Sequence, residues 1–222
     1  MFNRCLGWLV RSSLLGLVLT WFAGSQAWDA DRWLQSAARL GPQTLARARG
    51  LEATIAQATR MDDLERLVNI NQFFNSRTLF RSDIDTWGQP DYWASPLEML
   101  SKGSGDCEDY AIGKYFSLLA SGMSPAKLRM VYVRVMIGGP DGVAQAHMVL
   151  AYYPVPDAEP FILDNLVGEI RPASRRPDLT PVFSFNADGL WLGTNGAGAG
   201  DPSVRLSRWR QVLLKAHEQG FL

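Results

Sequence analysis

The apolar positions along the chain change period after residue 122, where a helical part gives way to a strand-rich part that a last helix closes. Trp33, Leu34, Ala37, Ala38 and Leu40 recur at helical spacing until Gly41-Pro42 breaks the pattern. A second helical pattern runs from Gly41 to Asn75 and carries Leu51, Ile55, Leu64 and Leu67. Both predict a helical layer packed on a core. Residues 77–104 are irregular and rich in Trp, Tyr, Pro, Gly and Asp. Within them Ser95-Pro96 predicts a short helix, because serine caps and proline suits a first turn. The stretch "GDCEDYAIGKYFSLL" at 105–119 predicts the next helix, with Asp106 as N-cap, acids at its positive end and Gly122 as stop.

After that helix the β-rich runs 128–137, 146–153 and 160–166 follow, separated by "GGPDG" and "PVPDAE". Asp188-Gly189 between hydrophobic flanks predicts a further hairpin. "GTNGAGAG" (193–200) reads as a glycine-rich loop, and the chain closes on a helix capped by Asp201 with Pro202 near its first position. Helices first and adjacent strands after them argue for an α+β fold with an antiparallel sheet. Neither a repeat nor a second domain is evident.

The first 27 residues stand apart. Arg4 and Arg11 precede the apolar run "SSLLGLVLTWFAG" and then "SQA" at 25–27. A basic region, a short apolar stretch and small residues at the −3 and −1 positions describe a secretory signal peptide cleaved after Ala27. A membrane anchor would need about 20 apolar residues, and Arg11 interrupts this run. Residues 28–222 are then one domain in the periplasm. Loss of the signal removes two of the 22 basic residues and none of the 22 acidic ones, leaving a slightly acidic chain. No dense basic patch offers nucleic acid a surface. Cys5 also departs, so Cys107 is the lone cysteine in an oxidising compartment, where it is inert, an intermolecular linker or a reactive group.

A cysteine nucleophile needs a base and a group to orient that base. Of the two histidines, His217 falls near the end of the last helical pattern, where a cation suits the helix dipole. His147 opens a strand. If strands 146–153 and 160–166 form an antiparallel hairpin turning within "PVPDAE", His147 lies directly opposite Asp164, with their Cβ atoms about 5 Å apart. Asp164 also sits inside the apolar run "FILDNL", where an unpaired charge is costly. A helix N-terminus under Cys107 favours thiolate and supplies N–H groups for an oxyanion. Asp106, Glu108 and Asp109 work the other way, since carboxylates beside a thiol resist its ionisation. Either they serve the helix dipole from solvent, or a bound cation such as Ca²⁺ reverses the local field.

The elements "DTWGQPDYWASPLEML", "GSGDCEDYAIGKYFSLLASG", "AHMVLAYY" and "PFILDNL" resemble the bacterial transglutaminase-like cysteine proteases of the LapG type, over about Phe73 to Trp191. The resemblance implies a papain-like or transglutaminase-like core with catalytic Cys107, His147 and Asp164. It implies Ca²⁺ held by Asp106, Glu108 and Asp109. It also implies a periplasmic endopeptidase that cuts a large surface adhesin after a di-alanine pair near its N-terminus, dispersing biofilm. An inner-membrane cyclic di-GMP receptor of the LapD type is the implied sequestering partner. The oxyanion donors expected are the Cys107 N–H and a group from the Trp87–Trp93 segment. Two other readings stand beside this one: a transglutaminase or amidase using the same triad, and a non-catalytic calcium-stabilised peptide-binding module. A monomer is expected, because no apolar stripe is left unassigned.

Overall fold

A computed structural model describes residues 28–139, 141–194 and 198–221. The expected signal peptide and part of the glycine-rich loop lie outside them. Among the described residues no helix is long and apolar enough to cross a membrane.

Helices α1 (Ala30–Arg39), α2 (Pro42–Ala58) and α3 (Asp63–Arg77) form the opening layer. The first break falls where expected: Gly41 takes φ +105° and Pro42 starts α2. The second helical pattern is two helices rather than one. Asp62 and Glu65 make a reciprocal capping box that starts α3 afresh. Leu67 is buried, while Leu64, expected on the core face, is 53% exposed.

The irregular segment contains β1 (Leu79–Phe80), α4 (Asp83–Trp87), α5 (Pro96–Lys102) and β2 (Ser104–Gly105). Ser95 and Glu98 close a capping box on α5, and Arg47 donates to the Leu100 and Ser101 carbonyls at its far end. Strands β1 and β2 pair in parallel, delivering the chain into α6 (Cys107–Ala120). Gly105 is required there, because a Cβ would lie 2.7 Å from Asp109 Oδ2 and 2.8 Å from its Cβ. Every residue of α6 from Asp109 to Leu119 is buried, as befits a helix apolar on most sides and enclosed by the rest of the fold. At Gly113 a Cβ would meet the Phe74 ring at 2.5 Å, so glycine permits the close approach of α3.

Six strands make one antiparallel sheet: β3 (Leu128–Ile137), β4 (Val143–Tyr152), β5 (Phe161–Leu163), β6 (Arg171–Pro172), β7 (Leu179–Phe185) and β8 (Leu190–Leu192), in the order β6-β5-β4-β3-β7-β8. The fold is therefore α+β, as the change of period predicted. The turn before β8 is Ala187-Asp188, one residue earlier than expected. Asn186 sets it by accepting from the N–H groups of Asp188 and Gly189 at 2.8 and 3.0 Å, so no left-handed residue is needed. The last helical pattern divides at Leu206 into α7 (Pro202–Arg205) and α8 (Ser207–Glu218), whose Trp209 packs among Tyr115, Phe116 and Phe185.

Candidate active site

Cys107 is the first residue of α6 and a free thiol, half-buried. Asp106 occupies the N-cap position, but its side chain makes no capping bond. The thiol donates to Glu108 Oε2 at 3.0 Å. Burial above all, then Glu108 and Asp106, pushes the thiol far above its ordinary range, opposed by the Met148 N–H that faces the sulfur. The bare acids around Cys107 thus oppose its ionisation.

The register of β4 and β5 differs from the expected one. Leu150 opposes Leu163, so continuation of the ladder would place Val149, not His147, opposite Asp164. The slip is two residues, which keeps side chains on the same face. His147 and Asp164 are thus diagonal neighbours, and they meet all the same: Nε2 and Asp164 Oδ1 lie 2.8 Å apart, with both residues buried. Asp164 also ends the strand. Its Oδ1 accepts the Leu166 N–H at 3.0 Å, turning the chain, and Asn75 Nδ2 takes its carbonyl at 2.8 Å. Its second oxygen, Oδ2, accepts from Arg176 Nη2 at 2.8 Å. Burial raises the Asp164 pKa, but His147, the Leu166 N–H and Arg176 outweigh it and hold the carboxyl down at about 2. An anionic Asp164 fixes the proton on Nε2, which leaves Nδ1 as the basic ring nitrogen. His217 is exposed in the last turn of α8 and has no such partner among the described residues.

The expected metal residues gather around one the sequence did not single out. Asp83, at the start of α4, brings a carboxylate oxygen within 4.8 Å of Asp106 and Asp109, and it forms a second such trio with Asp91 and Glu108. Asp83 accepts from the Tyr92 N–H, and Asp109 accepts from the Ala94 N–H at 2.7 Å. Each of the three central residues nonetheless keeps one buried oxygen without a partner among the described residues: Asp83 Oδ1, Asp106 Oδ1 and Asp109 Oδ2. Burial raises the Asp83 pKa to about 6 and, joined by Glu108, Asp109 and Asp83, that of Asp106 to about 9; Asp109 is raised as well, by burial first. Converging, unpaired hard oxygens in a site that resists its own charge fit a divalent cation of the calcium kind.

Cys107, His147, Asp106 and Glu108 line a common cleft of about 570 Å³. Trp93 and the stacked pair Tyr132–Phe183, ring centroids 5.1 Å apart, form apolar wall. Two charged residues near Asp164 were not foreseen. Arg176 is buried, and its Nε and Nη2 also grip Asp178, at 3.0 and 2.7 Å. Lys114 in α6 is fully buried with no hydrogen-bond partner for Nζ among the described residues; burial lowers its pKa to about 7 against the pull of Asp164. Arg176 breaks no local pattern, whereas Lys114 is the lone charge in the apolar run 110–126. For Arg176 the signal is the cost of burying Asp164, which demands a cation from somewhere.

Residues 46–178 match the family model for bacterial transglutaminase-like cysteine proteinases. Solved structures of Legionella pneumophila LapG match over 84% of this chain. The calcium-bound form is 37% identical, covered over 98% of its length, with a TM-score of 0.72. The EGTA-treated form is 38% identical, covered over 97%, with a TM-score of 0.74. No curated protein matches the chain. The matched span runs from α2 past Arg176, and so includes the Cys107 helix, His147 and Asp164; the chain belongs to the bacterial transglutaminase-like cysteine proteinases.

Proposed function

We propose that the protein is a calcium-dependent cysteine endopeptidase of the periplasm. In this reading it cleaves a large surface adhesin after a di-alanine pair near its N-terminus, releases it, and is held in check by an inner-membrane cyclic di-GMP receptor of the LapD type. The observation that carries the chemistry is a buried His147–Asp164 pair opening on the same cleft as a thiol at a helix N-terminus. Substrate, receptor and compartment rest on the likeness to LapG and on the signal-like first 27 residues.

His147 Nδ1 takes the Cys107 proton, giving a thiolate–imidazolium pair that the Asp164 carboxylate stabilises. The thiolate attacks the scissile carbonyl. The charge that develops on its oxygen falls to the Cys107 N–H at the positive end of α6, with a donor from the Trp87–Trp93 segment. Imidazolium protonates the leaving amine, and the acyl group stays on sulfur. Water, deprotonated by His147, then releases the acid product. Asp83, Asp106 and Asp109 would hold the ion, with Glu108 and Asp91 beside them; the ion supplies positive charge that offsets the acids around the thiol. One of the matched LapG structures is calcium-bound, which supports the reading.

The test is cleavage of a polypeptide carrying an Ala-Ala site by residues 28–222, with calcium and with chelator, beside Cys107→Ala. Cleavage that needs both calcium and Cys107 is expected. Chelator-resistant cleavage would remove the ion from the mechanism. Acyl transfer to an added amine in preference to water would make the enzyme a transglutaminase. A Cys107 inert to alkylation would leave a peptide-binding module.

A further inference from the structure

Strand β4 is paired along its whole length on one side and along less than half of it on the other. Strand β3 accompanies it from Val143 to Tyr152, whereas β5 meets it only at Leu150, Ala151 and Tyr152. The direction of the free backbone groups follows from two bonds. Tyr153 N–H donates to the Lys127 carbonyl at 2.8 Å, continuing the β3–β4 register, so odd-numbered residues of β4 bond to β3. Met136, opposite Ala144, sends its N–H away from β4 to the Asp178 carbonyl at 3.0 Å, as that alternation requires. The N–H and C=O of Ala144, Ala146, Met148, Leu150 and Tyr152 therefore point to the β5 side.

Each of these positions has a different fate. Leu150 and Tyr152 face β5. Asp164 then turns the chain away, and the Met148 N–H faces Cys107 Sγ instead of a strand. Ala146 and Ala144 are exposed, and their edge groups have no partner among the described residues. Ala146 also lines the cleft that holds Cys107 and His147. The nucleophile thus stands in line with an open sheet edge that begins one step beyond it.

We propose that this edge, centred on Ala146, is the substrate-binding rail: a polypeptide segment in extended conformation adds to β4 as a strand, with its scissile carbonyl at Cys107. The inference rests on the cysteine-protease reading and names how that site takes its substrate. Ala146 lies two residues from Met148, about 6.8 Å along the strand, and a paired strand runs about 4.8 Å away. A backbone whose carbonyl carbon is within about 3.5 Å of sulfur passes Ala146 at that spacing within two residues of the scissile bond. Main-chain pairing of this kind supplies affinity without demanding particular side chains. It also requires the cut segment to be unfolded or extended. The methyl group of Ala146 leaves the edge unshielded.

The probe is an acetylated tetra-alanine chloromethyl ketone, used with calcium on residues 28–222. A set of the same reagent carries each backbone N–H in turn as N-methyl, and iodoacetamide serves as the reference alkylator. Labelling of Cys107 is followed by mass spectrometry. The unmethylated peptide reagent is expected to outpace iodoacetamide, and one methylated position is expected to lose about tenfold, the worth of one or two backbone bonds. In Ala146→Pro, which deletes the edge N–H, the ratio of peptide to iodoacetamide rates falls by a similar factor. The methylation series on the unaltered protein stands even if that variant folds poorly. A peptide reagent no faster than iodoacetamide, or one indifferent to methylation at every position, overturns the rail while leaving the cysteine enzyme intact. Failure of both reagents to label Cys107 overturns the enzyme reading and the rail together. A dimer that dissociates in Ala146→Pro would assign the edge to a second copy of the chain and overturn the proposal.

Discussion

Two groups of buried carboxylates stand near Cys107, and burial has opposite consequences for them. Asp164 is 1% exposed, yet its pKa is held at about 2, because His147, the Leu166 N–H and Arg176 occupy both its oxygens. Asp109 is equally buried, and its carboxyl is pushed up together with those of Asp106 and Asp83. Each of these three keeps an oxygen with no partner among the described residues. What differs is the supply of compensating charge. Around Asp164 the chain provides its own cation and donors. Around Asp83, Asp106 and Asp109 stand further acids, and Arg208, the cation that reaches Asp83, is already paired with Asp91 at 2.9 Å, so the missing charge has to come from solution. One site is finished by folding; the other, in the reading proposed here, is finished by calcium.

The largest effect is expected from breaking the finished site at its centre. Asp164→Asn preserves shape but replaces an acceptor facing Nε2, favouring the wrong imidazole tautomer. kcat/KM on an Ala-Ala substrate should fall about 10³- to 10⁴-fold, with the fold kept by circular dichroism. An unchanged rate would remove Asp164 from the chemistry. Next comes Arg176→Gln, which strips the buried Oδ2 of its cation. Loss of stability by about 3–5 kcal/mol in urea unfolding is expected, because the charge left behind is buried. A loss below about 1 kcal/mol would mean that Lys114 or water takes over.

A smaller effect sharpens the other half of the comparison. Asp83→Ala removes an acid common to both trios, so the calcium concentration that gives half the rise in Tm should increase about 10- to 100-fold. Indifference to this change, with sensitivity retained in Asp106→Ala, would restrict the ion to the acids beside Cys107. The smallest effect is on acid stability. The folded Asp164 pKa lies below its ordinary value of 3.8, so its contribution is present above about pH 4 and is lost as pH falls towards 2. That contribution is about 2 kcal/mol, and acid titration of Asp164→Asn should show a correspondingly shallower loss over this window.

The parts of this site that were legible in the sequence are those carried by short-range patterns. Ser95-Pro96 marked α5, and Gly41-Pro42 marked the first helix break, since caps and turns act over a few residues. Asp62 and Glu65 carry the same kind of signal at the start of α3, but the helical period runs on through them and hides it. His147 and Asp164 meet although the true register differs from the expected one by two residues, because alternation has period two.

By itself, then, the sequence determined that a helical layer precedes the strands of the main sheet, the helix start under Cys107, and the face shared by His147 and Asp164. These depend on residue spacing within one element or one hairpin. Only the tertiary structure decided which carboxylates remain unpaired, that Asp83 joins Asp106 and Asp109, that Arg176 reaches Asp164, and that β4 is left open at Ala146. Those outcomes depend on contacts between separate elements, such as the bond from Asn75 in α3 to the Asp164 carbonyl, and on where a strand stops. Neither leaves a period in the chain. The energy of a buried charge depends on everything packed around it, and that surrounding is assembled only when the whole chain folds.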